Sequence, residues 1–223
     1  MHDEAEQPWR ALNRLARGYA AMISSAVALL DNGVQMNLYV AGRYALPLKD
    51  AAGVLTVAGE HGEYTLTFSM KQAAKAVLSL RVPSWTSDAC ITVNDEGGLE
   101  GKAGQYLKIE REWKDGDQVR VSFARDIQVV EGHHQSAAVF HGAELKAIVP
   151  GEEWAYALCG EPELREGKVY APVCKACDWR KRGNIPADLP VLPETEGEVA
   201  FVEMKPYAHT HVRIALLPRG HKA

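Results

Sequence analysis

The chain opens with a helical pattern of apolar residues. Its apolar stripe consists of Leu12, Leu15, Ala16, Tyr19, Met22 and Ile23. These residues recur at steps of three and four, so they lie on one face of a helix. Pro8 suits the first helical turn, and the pattern breaks near Ser24. We therefore predict an N-terminal helical segment within residues 1–30.

The pattern then changes to the two-residue alternation of half-buried strands. Apolar and polar residues alternate over 64–70, 78–82, 107–110 and 119–123. Turn-forming residues punctuate these stretches at 31–33, 95–98 and 115–116. Short strands at this spacing, joined by such turns, are typical of a β-sandwich. We therefore predict a mainly β protein preceded by one α-helix.

A second β unit is predicted from about residue 127. Strand patterns cover 137–140, 145–149, 201–204 and 211–217. The intervening stretch, about 161–197, is poorly patterned and rich in proline and charge. It predicts a long loop or a series of short strands.

Composition and net charge exclude only a few classes of function. The chain has 223 residues and a net charge of −4, which gives no attraction to nucleic acid or an anionic membrane. The longest apolar run, 26–30, is far below the ~20 residues of a membrane helix. The acidic start of the chain does not resemble a signal peptide. We expect a cytoplasmic protein with reduced thiols, and the mature form of a secreted protein stays an open alternative.

Two patterns resemble metal sites. Cys174 and Cys177 form a Cys-x-x-Cys, which supplies half of a zinc site or a redox pair. No second such pair follows, so ordinary loop thiols are the simpler interpretation. His209 and His211 alternate on a presumed strand, a spacing common in metal sites and on solvated sheet faces.

Several aromatic and acidic residues are weaker candidates, for carbohydrate binding or hydrolysis. Trp154 and Trp179 lie in the irregular second unit and are our candidates for stacking on a sugar ring. Trp85 and Trp113 end strands and are better explained as caps of the sandwich core. An acidic cluster around the 110–117 hairpin is predicted to be a solvated rim with turn residues. It contains Glu110, Glu112, Asp115 and Asp117.

The ordered strand motifs resemble those of glycoside hydrolase family 127, the β-L-arabinofuranosidase-like enzymes. The two motifs that carry the resemblance are 78–85 (LSLRVPSW) and 106–117 (YLKIEREWKDGD). Segments 34–40, 136–145 and 204–214 match in the same order, although His141 and Ala143 replace an Arg and a Pro of the family pattern. The resemblance is to the region C-terminal to the catalytic barrel.

The resemblance implies two jelly-roll-like β-sandwich units, the second inserted into the first. On this basis the first sandwich is expected at 31–126 plus 205–223, and the second, smaller unit at 127–204. The helical segment, 1–30, would correspond to the end of the barrel.

The resemblance also implies that the chemistry lies elsewhere. In the family a cysteine nucleophile sits in a zinc site on the barrel, built from a Cys-x-Cys, a Cys-Cys pair and a Glu. This chain has no Cys before Cys90, so no catalytic residue and no zinc cofactor can be carried over.

We therefore expect an accessory β-sandwich region without its catalytic barrel, structural in role and inactive alone. A free-standing carbohydrate-binding module, the subunit of a split glycosidase and the product of a truncated gene are the alternatives. The helix stripe should fold back on the sandwich, pair with a second copy or dock on a barrel subunit, and self-association is the favoured option. Carbohydrate is the expected ligand, and no nucleic-acid or membrane partner is expected.

Overall fold

The protein divides into two compact units, residues 1–124 and 125–223. The computed structural model describes residues 8–48, 51–132, 136–148, 156–176, 194–209, 216–219 and 221–222. Strands dominate both units, and the described α-helix lies at the N-terminal end, which confirms the predicted fold class.

Helix α1 spans Pro8–Ser24, as the apolar periodicity predicts. Its end is marked by two serine hydroxyls that bond carbonyls of the last turn. Ser24 Oγ donates to the Ala21 carbonyl at 2.9 Å, and Ser25 Oγ donates to the Met22 carbonyl at 2.8 Å. Within the described part of the chain, no helix has the length and apolar character that crossing a membrane requires.

The strands of the first unit form two antiparallel or mixed sheets. They are β1 (Val27–Leu30), β2 (Gly33–Met36), β3 (Gly42–Pro47), β4 (Ala52–Glu60), β5 (Glu63–Met70), β6 (Ala74–Arg81), β7 (Ala89–Val93), β8 (Glu96–Glu100), β9 (Tyr106–Trp113) and β10 (Gln118–Phe123). One sheet has the order β1-β2-β6-β9, and the other has the order β3-β4-β5-β10-β7-β8. Strands β2 and β6 pair in parallel.

Both sheets contribute to one apolar core, so the first unit is a sandwich. Leu78 and Leu80 of β6 and Leu66 and Phe68 of β5 belong to the same buried cluster. Their alternation with polar residues is the period that places one strand face in the core and the other toward water. The largest buried side chain is Trp113, which stacks on Phe68 across the sandwich at 4.1 Å between ring centroids.

Two turns require residues that tolerate unusual backbone geometry. Asn94 and Asp95 connect β7 to β8 with φ of 53° and 62°, the conformation of a two-residue type I′ hairpin. At Gly33 the backbone approaches β6 so closely that a Cβ would lie 2.1 Å from the Val77 carbonyl oxygen. A side chain at Gly33 would therefore disrupt the parallel pairing of β2 with β6.

The strands of the second unit belong to one sheet. They are β11 (Ile127–Glu131), β12 (Ser136–His141), β13 (Glu144–Ile148), β14 (Tyr156–Leu158), β15 (Glu163–Arg165), β16 (Lys168–Ala176), β17 (Glu194–Pro206), β18 (Leu216–Pro218) and β19 (His221–Lys222). The main order is β11-β12-β13-β17-β16-β14. Val139 from one half and Val173 from the other share a core, which indicates that the sheet curves around it.

The end of the chain does not follow the expected return to the first sandwich. β18 pairs with β12, and β19 pairs with β17, so the described residues of 205–223 hydrogen-bond within the second unit. The stretch at 161–197, predicted as a loop or short strands, contributes β15, β16 and the start of β17. Its strand β16 pairs along much of β17, a long-range pairing that no local pattern specifies.

The different burial of Trp113 and Trp85 predicts that replacing each with alanine destabilises the first unit by a different amount. Trp113 is fully buried and its Nε1 donates to the Ala76 carbonyl at 3.1 Å, whereas Trp85 is only half-buried. Trp113→Ala should lower the free energy of unfolding by about 3–5 kcal/mol, the cost of deleting a buried aromatic. Urea denaturation should show a smaller loss for Trp85→Ala, and equal losses would contradict this difference in burial.

Candidate functional site

The surface of helix α1 is the clearest candidate interface. Every helix residue from 16 to 24 is exposed. The stripe residues Tyr19, Met22 and Ile23 are 61%, 45% and 37% exposed. A substantial part of each of these three side chains is therefore open to solvent. The side chains of Leu12 and Leu15 lie outside the described residues.

Exposed apolar residues continue beyond the helix. Leu29 in the edge strand β1 is 59% exposed, and β1 begins shortly after the helix ends. An isolated helix of this length is marginal in water unless its apolar face is covered. Exposed apolar surface of this kind marks an interaction site more often than a solvated face.

The structure pairs Cys159 with Cys174 as a disulfide, with 6.1 Å between the Cα atoms. Cys174 lies opposite Ala157 in the β14–β16 pairing, so Cys159 is its diagonal neighbour across the two strands. The prediction of reduced thiols is therefore wrong for these two cysteines. Cys90 is free and exposed.

This pairing bears on the candidate metal site. Cys174 offers no thiolate ligand while it is bonded to Cys159, because metals bind the deprotonated sulfur. Cys177 lies outside the described residues. His209 belongs to a 3₁₀ turn, Tyr207–His209, and not to a strand, and His211 is also outside. Among the described residues no three His, Cys, Asp or Glu side chains converge as metal ligands.

In the acidic cluster around the end of β9, Glu110 and Glu112 are exposed, whereas Asp115 and Asp117 accept structural hydrogen bonds. β9 pairs with β6 and β10 pairs with β5 and β7, so the segment between them crosses from one sheet to the other and is not the predicted hairpin. Asp115 Oδ1 accepts from the Met70 amide at 2.9 Å. Asp117 is buried and accepts from the Asn94 side-chain amide and the Lys114 backbone amide, each at 2.9 Å. Carboxylates held by these bonds fix the crossing segment in place.

Trp85 belongs to an aromatic cluster at the edge of the first core. It meets Phe123 edge-on at 5.9 Å, and Phe123 meets Tyr39 at 5.2 Å. Tyr39 stacks on Tyr64 and donates its hydroxyl to the Arg81 carbonyl at 3.0 Å. Burial raises the pKa of Tyr39 well above its ordinary value. These contacts agree with a role for Trp85 in packing.

The predicted sugar-stacking residues, Trp154 and Trp179, lie outside the described residues. The second unit does present a different aromatic pair that the sequence analysis missed. Phe201 of β17 is 45% exposed, and the Arg165 guanidinium lies 4.3 Å from its ring centroid and 5.4 Å from that of Tyr170 in β16. The alternation of buried Val169, Ala171 and Val173 could have placed Tyr170 on the outer face.

A protein-family model matches most of the first unit. Residues 33–125 match the family model described as the β-L-arabinofuranosidase GH127 middle domain. A search of curated proteins gave no match. The match begins at β2 and ends after β10, so it covers nearly the whole sandwich of the first unit.

Solved structures extend the similarity to most of the chain. A GH127 β-L-arabinofuranosidase from Geobacillus stearothermophilus T6 has a TM-score of 0.69 and 18% identity over 94% of this chain. A protein described as a glycoside hydrolase has a TM-score of 0.64 and 21% identity over 88%. A GH127 β-arabinofuranosidase has a TM-score of 0.62 and 19% identity over 87%.

The described chain therefore has a fold similar to part of two solved GH127 enzymes. More particularly, residues 33–125 match the model of the GH127 middle domain, which confirms the resemblance seen in the strand motifs. The chain spans only 37%, 37% and 36% of the lengths of the three similar structures.

Proposed function

We propose that this chain is the accessory β region of a GH127-like glycoside hydrolase and that it has no hydrolase activity alone. The observation that carries the proposal is the partial match: a GH127 middle domain at 33–125 in a chain that spans 37% of a GH127 β-L-arabinofuranosidase. Among the described residues, helix α1 precedes β1 and lies N-terminal to the matched segment.

In this proposal, α1 docks on the catalytic portion that precedes the middle domain in the family. The helix lies immediately N-terminal to the matched segment, and its side chains from residue 16 to residue 25 are all exposed. A helix at this place with an uncovered apolar stripe fits the end of a helical domain whose other helices are supplied elsewhere. The catalytic portion could be part of the same gene product or a separate subunit.

The β units would then serve as a structural support for the catalytic portion. A sandwich with a well-filled core is a rigid support, and rigid supports hold active-site walls in place better than loops do. The acidic residues that could have suggested independent glycosidase chemistry, Asp115 and Asp117, are engaged in backbone and amide bonds. This use supports a structural role and not catalysis by the described sandwich.

The proposal predicts that the purified chain does not hydrolyse aryl β-L-arabinofuranosides, with or without added zinc. The reason is that the family nucleophile and its zinc ligands belong to the barrel. The measurement is the release of the aryl alcohol, with an active GH127 enzyme as the positive control. Zinc-dependent turnover that disappears in Cys174→Ser or Cys177→Ser would contradict the proposal and would establish these cysteines as a metal site.

The docking role of α1 predicts the behaviour of the isolated chain. Tyr19→Glu/Met22→Glu should change the melting temperature little, because both side chains are exposed. Light scattering should show a monomer at low concentration for both proteins. Arg17→Glu, an exposed position on the same helix, is the matched control for the added charge.

The same measurement distinguishes self-association. A parent chain that forms a dimer, which the Glu variant loses and the Arg17→Glu control retains, would show that a second copy covers the stripe. A variant that melts at a markedly lower temperature than the control would contradict the exposed position of these side chains.

The second candidate function is carbohydrate binding by the second unit. The observation that favours it is the pair formed by exposed Phe201 and half-buried Tyr170 on adjacent strands, because sugar rings pack on aromatic faces. Trp154 and Trp179 stay candidates of the same kind. Calorimetry with arabino-oligosaccharides tests this function: binding lost in Phe201→Ala and retained in Leu216→Ala, another exposed apolar residue of the unit, would support it.

A further inference from the structure

A cluster of charged groups lies partly buried between Arg125, at the start of the second unit, and the β12–β13 hairpin. The Glu144 carboxylate accepts from Arg125 Nη2 at 3.4 Å and also from Lys146 Nζ. His141 pairs directly with Glu144 in the hairpin register, and Arg125 Nη2 also approaches the His141 carbonyl at 3.5 Å. His141 and Lys146 are 6% and 7% exposed, so water screens this cluster poorly.

The charges in the cluster do not balance. Arg125 and Lys146 are cations, Glu144 is the carboxylate they share, and these three groups are the charges that act on the imidazole. With a neutral His141 the cluster carries one excess positive charge. A proton on His141 would raise the excess to two in a site that water reaches poorly.

The environment opposes protonation of the imidazole. Burial lowers the pKa of His141 most, Arg125 and Lys146 lower it further, and Glu144 acts in the opposite direction. Both desolvation and nearby positive charge disfavour the charged form of a histidine.

We propose that this cluster makes the second unit acid-sensitive, because protonation of His141 weakens the β12–β13 hairpin. β12 hydrogen-bonds with β11, β13 and β18, so it links strands from the beginning, the middle and the end of the unit. Loss of the hairpin would therefore propagate through the sheet. The first unit contains no part of this cluster, so its stability should not follow the same titration.

The sign of the effect follows from linkage. The pKa of His141 in the folded protein lies below its value of about 6.5 in an unfolded chain. Between these two values the unfolded state binds more protons, so the stability of the second unit falls as the pH decreases. The loss begins as the pH passes below about 6.5 and is complete below the folded pKa.

The experiment compares thermal unfolding of the parent, His141→Gln and His209→Gln between pH 7.5 and pH 5.5. Hydrogen exchange of peptides from 136–148 reports on the hairpin, and peptides from 74–81 report on the first unit. The parent and the exposed-histidine control His209→Gln should lose hairpin protection on acidification, whereas His141→Gln should lose much less. Equal pH dependence of the parent and His141→Gln would overturn the proposal.

A second variant keeps the test decisive if His141→Gln does not fold. Lys146→Met removes one cation that faces the imidazole and leaves the Arg125–Glu144 pair in place. NMR titration should show the His141 ring gaining its proton at a higher pH in Lys146→Met than in the parent, with a smaller acid-induced loss of melting temperature. A parent ring that titrates at or above the ordinary histidine value would refute the mechanism.

Discussion

The stacking of Trp113 on Phe68 is the contact on which the first unit depends most. Trp113 ends a strand of one sheet and Phe68 lies in a strand of the other, so this single pair joins both faces of the sandwich. The burial of alternating residues from β5, β6, β9 and β10 extends the same core. The segment after Trp113 can cross between the sheets only because Asp115 and Asp117 bind the backbone amides that the crossing leaves unpaired.

The sequence predicted the parts of the fold that depend on neighbouring residues. The apolar steps of α1 and the alternation in β5, β6 and β10 give those elements within a few residues of their observed bounds. The pairing partners of the last strands could not be predicted from local patterns. β18 pairs with β12 across some eighty residues of chain, and no local pattern distinguishes that partner from a strand of the first sandwich.

The candidate sites also divide into features that follow from local sequence and features that depend on long-range strand pairing. The structural role of Trp113 follows from its place at the end of an alternating strand, but the pairing of Cys159 with Cys174 depends on the register of β14 and β16. The cluster of Arg125, His141, Glu144 and Lys146 likewise exists only because a hairpin brings its members together. Spacing along the chain suggested Cys177 as the partner of Cys174, and strand pairing supplied a different cysteine.

The proposed function depends on the exposed surface of helix α1. Both sheets of the first unit share one buried core, whereas the described side chains of α1 are exposed. An exposed helix that lies N-terminal to a segment matching the GH127 middle-domain model supports the proposed docking on a catalytic portion.

Hydrogen exchange of α1 in the isolated chain at low concentration tests this account most directly. A helix that lacks its partner should exchange its amides from 8–24 within seconds, while amides of β6 and β9 stay protected by the sandwich. Protection of α1 comparable to that of β6 in a monomeric chain would show that the helix is stable without a catalytic portion, and it would contradict the central claim.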